Sequence, residues 1–116
     1  MLFICYPKCS TCQKAKKWLD EQGLKYTERH IAQDNPSYEE LKEWCAQSGL
    51  SLKKFFNTSG LLYKEMQLKE KLQFMSEEGQ LKLLATNGML VKRPLVIDGD
   101  KVLVGFKEAE WAEKFS

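Results

Sequence analysis

With 116 residues, 43% apolar and 11% aromatic, the chain suits one domain, residues 1–116, around one core and is too apolar for a disordered protein. Its net charge of +2, a small difference between 18 basic and 16 acidic side chains, gives no electrostatic case for direct nucleic-acid binding. No apolar run approaches a membrane span, and Pro7 and Lys8 cut the apolar start short of a signal peptide, so a soluble cytoplasmic protein is expected.

Residues 2–6 read as a buried strand. It feeds Tyr6-Pro7-Lys8-Cys9-Ser10-Thr11-Cys12, and helical spacing follows to Gln22, with Cys12, Ala15, Trp18, Leu19 and Gln22 on the apolar stripe. Gly23 is a helix stop, and Leu24 to Ile31 reads as a second strand. Asn35-Pro36 predicts an N-cap followed by proline at the first helical position. The helix beyond it carries Leu41, Trp44, Cys45 and Ser48 and ends at Gly49. Ser51 can cap a short helix through Phe56, and Asn57-Thr58-Ser59-Gly60 is a turn. Short helices are expected at about 61–66 and 68–74. Ser76 caps a further helix through Leu84, which Asn87-Gly88 ends. Pro94 to Ile97 and Val102 to Val104 flank Asp98-Gly99-Asp100, a hairpin signal. A last helix has Ala109, Trp111, Ala112 and Phe115 as its apolar set. The order is β-α-β, a helical insertion over about 37–90, then β-β-α. This predicts an α/β protein with a thioredoxin-like fold and a mixed four-stranded sheet.

A strand that feeds a Cys-x-x-Cys at a helix start is the arrangement that makes a reactive thiol. The first-turn amides and the positive helix end favour a thiolate on the first cysteine, and a cysteine three positions on can resolve a mixed disulfide. The spacing places Cys9 near the N-cap and Cys12 inside the first turn. A zinc site would need four ligands, and the chain has no second Cys-x-x-Cys and only one histidine, so redox chemistry without a metal is expected. Cys5 and Cys45 read as inert, buried core residues, His30 as structural, and the three tryptophans as core.

Several segments together resemble the arsenate reductase/Spx family: Tyr6 to Cys12, Arg29-His30-Ile31 with Pro36 to Leu41, Phe56 to Gly60, and Lys92 to Val96. The resemblance implies that Cys9 is the nucleophile, that Pro94 is a cis-proline facing it, and that Arg93 lies beside it. It implies no bound cofactor, and a thiol electron donor such as glutathione, glutaredoxin or thioredoxin. Arsenate-reducing members hold the oxyanion with three arginines. One aligns with Arg93, and the others fall near Asn57 and at Phe106, so weak or no arsenate reduction is expected here. Lys8, Lys92 or Lys107 could substitute only as point charges. Cys12 is typical of Spx-type redox-switch regulators, which are usually longer at the C-terminus. A thiol/disulfide oxidoreductase is therefore the first expectation, and an Spx-like regulator that binds RNA polymerase the second.

Overall fold

The computed structural model describes residues 1–115. Strand β1 (Leu2–Cys5) is followed by helix α1 (Ser10–Glu21) and strand β2 (Thr27–His30). Helices α2 (Tyr38–Ser48), α3 (Leu61–Glu65), α4 (Leu68–Lys71) and α5 (Glu77–Leu84), with short 3-10 turns between them, form the insertion. Strands β3 (Leu95–Asp98) and β4 (Lys101–Val104) and helix α6 (Glu108–Lys114) close the chain. The sheet order is β2-β1-β3-β4, with β1 parallel to β2 and antiparallel to β3, and β3 antiparallel to β4. This is the mixed four-stranded, thioredoxin-like architecture.

Alternation along the strands divides the core in two. Phe3, Cys5, Val96 and Leu103 face α1 and α6, where they pack with Ala15, Trp18 and Trp111. Ile4, Leu95 and Val102 face the insertion and pack with Leu41, Trp44 and Phe55. The sheet is thus covered on both faces, which leaves the strand ends as the place for a site.

Local signals set several boundaries. Gly23 has φ +69°, and the Gly23 and Leu24 amides donate to Asp20 and Leu19 at 3.1 Å each, a Schellman stop for α1. Ser76 caps α5 by accepting from the Gly79 amide. Gly88 allows a close approach that no side chain would, because a Cβ there would lie 1.7 Å from the Ile31 carbonyl oxygen.

Other expectations are corrected. The cap of α2 is Ser37 rather than Asn35: Ser37 and Glu40 form a reciprocal capping box. The Asn35 amide instead donates to the Ala85 carbonyl at 2.7 Å, so a contact fifty residues away overrides the local cap signal. Strand β2 covers only Thr27–His30 of the expected Leu24 to Ile31, because it pairs only with the four residues of β1. Helix α5 is capped at Ala85, and Asn87 instead caps the short turn Gly88–Leu90. Ser51 makes no side-chain cap. Ala109 and Ala112 are exposed, since α6 buries little beyond Trp111, and Gln22, the C-cap of α1, is exposed as well. Cys45 is half-buried rather than in the core.

Candidate active site

Cys9 is the N-cap of α1, with extended backbone (φ −83°, ψ 125°), and its side chain makes no capping hydrogen bond. No acidic residue occupies the first turn of this twelve-residue helix, so nothing there offsets its positive end. The Cys9 amide donates to the Tyr6 carbonyl at 2.9 Å and the Gln13 amide to the Cys9 carbonyl at 3.0 Å, which fixes the turn that presents the thiol. Cys9 is partly exposed, whereas Cys12 is 2% exposed and lies behind it on the inner face of α1. The Tyr6 amide donates to Cys12 Sγ at 3.4 Å. The Cys12 thiol is held well above the ordinary thiol range, first by its interaction with the Cys5 side chain and then by burial. The two cysteines of the motif therefore differ as the spacing predicts: one is open to a substrate, and the other is buried and protonated.

Cys5 was expected to be inert. It is buried, but it contacts Cys12, and its thiol lies 3.6 Å from Glu28 Oε1, which is ion-paired with Lys16. Its position at the end of β1, facing α1, was legible in the strand alternation. Its neighbourhood with Cys12 was not.

Arg93 precedes Pro94 through a cis peptide bond, as the family resemblance implied. Pro94 is buried and its carbonyl accepts from the Gly105 amide at 2.8 Å, which ties the entry of β3 to the exit of β4. The Arg93 guanidinium carbon lies 5.2 Å from the centre of the Tyr6 ring, within cation–π range. Its Nη1 is buried and has no hydrogen-bond partner. An unmet buried donor costs about 1–3 kcal/mol.

A cavity of about 400 Å³ joins these pieces, lined by Cys9, Asn57, Lys92, Arg93, Phe106 and Lys107. Asn57 is brought in by the turn before α3, where it is 8% exposed and its amide donates to the Leu90 carbonyl at 2.8 Å. Phe106 follows Gly105, whose φ of +74° turns the chain out of β4. The Trp111 indole donates to the Gly105 carbonyl at 3.1 Å and holds that corner. Arg93, Asn57 and Phe106, at or near which the family resemblance implied arginines, thus line one cavity. Of the three lysines considered as substitutes, Lys92 and Lys107 line the cavity and Lys8 does not.

His30 is structural, its Nδ1 accepting from the Ala32 and Gln33 amides at 3.2 and 3.1 Å. The tryptophans are core residues. Among the described residues no group of three or more His, Cys, Asp or Glu side chains converges as a metal site would, and no helix is long and apolar enough to cross a membrane.

A four-stranded mixed sheet with a cysteine at the N-cap of its first helix and a cis-proline at the entry to its third strand defines a thioredoxin-fold thiol site. Within that class the chain belongs to the ArsC family, whose model matches residues 5–114. The uncharacterized protein YusI of Bacillus subtilis is 60% identical over all of this chain and 98% of its own length. The global transcriptional regulator Spx 1 of Bacillus cereus is 30% identical over 90% of this chain and 78% of its own. The crystal structure of a possible arsenate reductase from Streptococcus mutans superposes with a TM-score of 0.90, at 42% identity, over 98% of this chain and 97% of the other.

Proposed function

We propose that this protein is a cysteine-based thiol/disulfide oxidoreductase of the cytoplasm that retains the family's thiol chemistry and reduces arsenate poorly or not at all. The observation that carries the reading is the placement of a partly exposed Cys9 at the unneutralised start of α1, with buried Cys12 behind it and the unpaired Arg93 Nη1 at the same cavity. In the reaction, the Cys9 thiolate attacks one sulfur of a substrate disulfide. A Cys9–substrate disulfide forms and the other sulfur leaves as a thiolate. Cys12 then loses its proton and attacks Cys9 Sγ, which releases the second substrate thiolate and leaves a Cys9–Cys12 disulfide. Two thiol equivalents from glutathione, glutaredoxin or thioredoxin restore the reduced pair. Arg93 and the first-turn amides stabilise negative charge as it develops on the leaving sulfur.

Asn57 and Phe106 support the arsenate half of the reading. A tetrahedral oxyanion is best held by several planar guanidinium forks. Losing two charged hydrogen bonds at about 1.5–3 kcal/mol each weakens capture by roughly two to four orders of magnitude. The test is a paired steady-state assay, disulfide reduction and arsenate reduction, with each thiol donor in turn. Turnover of the disulfide with arsenate reduction at least about a hundredfold below a three-arginine family member is expected. Arsenate turnover equal to that member's would overturn the proposal.

A redox-switched regulator that binds RNA polymerase is the second reading, favoured by the likeness to Spx 1 and by the Cys9-Cys12 spacing. Retention of RNA polymerase on the oxidised but not the reduced protein, without disulfide turnover, would select it.

A further inference from the structure

The active cavity does not end at Arg93. Lys92, Val104 and Lys107 also line a neighbouring groove of about 500 Å³ that runs past the segment between α2 and α3. Lys53 and Lys54 stand along it, and Leu50, Phe56 and Val104 supply its apolar surface. Leu50 is 42% exposed, an unusual setting for a leucine beside four lysines.

The lysines here are not ion-paired. The ion pairs among the described residues join Lys16 to Glu28, Lys17 to Glu21, Arg29 to Asp34 and Glu40, and Lys82 to Glu78. None involves Lys53, Lys54, Lys92 or Lys107, and Glu110 is the one acidic residue lining the groove. A net charge of only +2 for the whole chain makes this a local patch rather than a general bias. With four lysines to one glutamate along it, such a groove draws negative charge toward the cavity.

The groove shares Lys92, Val104 and Lys107 with the cavity that Cys9 lines, so an occupant that continues from one into the other must present sulfur to that thiol. Polypeptides carry sulfur and nucleic acids do not, and the apolar floor suits side chains better than phosphates. We propose that the groove is the docking track for a substrate polypeptide whose oxidised cysteine is flanked by Asp and Glu residues. This deepens the oxidoreductase reading and rests on it. With the substrate cysteine held as a mixed disulfide with a small thiol, Cys9 attacks the peptide sulfur and the small thiol leaves as a thiolate, protonated by solvent. Cys12 then displaces the peptide as its free thiol.

The experiment uses Cys12→Ser protein, which stops at the Cys9–peptide disulfide. Two short peptides carry one cysteine each as a mixed disulfide with 2-mercaptoethanol. One has flanking Asp and Glu, and the other has Asn and Gln in their places. The acidic peptide should form the adduct about tenfold or more faster at low salt, and the preference should collapse at high salt. The further change of Lys53→Glu with Lys54→Glu should abolish that preference and leave reaction with bis(2-hydroxyethyl) disulfide unchanged. Equal rates for the two peptides, or a preference that survives the lysine changes, would overturn the proposal. Failure of bis(2-hydroxyethyl) disulfide to react with Cys9 at all would overturn the oxidoreductase reading instead. The groove is then judged by anisotropy of a labelled, cysteine-free acidic peptide. Salt-sensitive binding lost on Lys53→Glu with Lys54→Glu upholds it, and no binding, or displacement by an oligonucleotide more readily than by the unlabelled peptide, refutes it.

Discussion

Arg29 and Arg93 are the two arginines of this chain, one on β2 and the other at the entry to β3. Arg29 has its donors occupied. Its terminal nitrogens meet the Glu40 carboxylate at 2.7 and 2.9 Å, and Nε and Nη2 reach the Asp34 and Asn35 carbonyls at 2.8 and 3.1 Å. Arg93 leaves Nη1 buried and unmatched beside Cys9 and packs its flat face over Tyr6. The same side chain therefore fastens β2 to α2 in one place and in the other lines the cavity of Cys9 with one donor unmatched. Pairing, more than burial, separates the two, because a guanidinium already holding a bidentate carboxylate has little left to offer a ligand.

The contrast can be broken or sharpened by substitution. The largest effect belongs to the thiol that Arg93 accompanies. Cys9→Ser should lower disulfide turnover by at least about 10³-fold and leave the melting temperature nearly unchanged; residual turnover above that, traced to Cys12 or Cys45, would move the nucleophile elsewhere. Next, Arg93→Ala should lower kcat/KM for glutathione disulfide roughly 10- to 150-fold. Its denaturation midpoint should hold or rise, since the change removes an unmatched buried donor. A clear loss of stability with normal turnover would show that Arg93 is scaffold. Arg29→Ala should do the reverse. It removes a bidentate pair to a carboxylate that is still a third exposed, so it should cost about 2 kcal/mol in urea titrations with unchanged turnover per folded molecule.

The smallest effect is a pH dependence. Arg29 beside Glu40 holds that carboxyl below its ordinary range. Glu40 therefore takes up its proton at lower pH folded than unfolded. The stability it contributes is in place above the unfolded carboxylate value of about 4.3 and is lost as pH falls through the lower folded value. Melts of wild type and Glu40→Gln across this range should converge toward acid. A gap that stays constant down to the acid limit would mean that the pair is worth no more ionised than neutral.

Much of the scaffold is readable from local chemistry. The strand, Cys-x-x-Cys and helix at residues 2–21, the Gly23 stop, the Ser76 cap and the turn at Gly99 each depend on neighbours within a few residues. The difference between Cys9 and Cys12 is of the same kind, since a three-residue spacing at a helix start places one side chain outward and the next beneath it. Where local signals compete with distant ones they mislead. Asn35 looks like a cap but bonds Ala85, and the alanines of α6 look like a core stripe but lie outside it because α6 reaches the core through Trp111, beside residues of α1.

By itself the sequence determines the order of elements, the thiol motif and the supply of two arginines, Arg29 and Arg93. Only the tertiary structure decides that Arg93, Asn57, Phe106, Lys92 and Lys107 share a cavity with Cys9, and that Arg29 is matched while Arg93 is not. It alone sets Lys53 and Lys54 on a groove that adjoins the thiol's cavity and puts Cys5 against Cys12. The physical reason is that spacing along a helix or strand specifies neighbours only over a few residues. The site is assembled from four segments brought together by burial of the two sheet faces, and burial carries no label saying which polar groups will meet at the sheet's end.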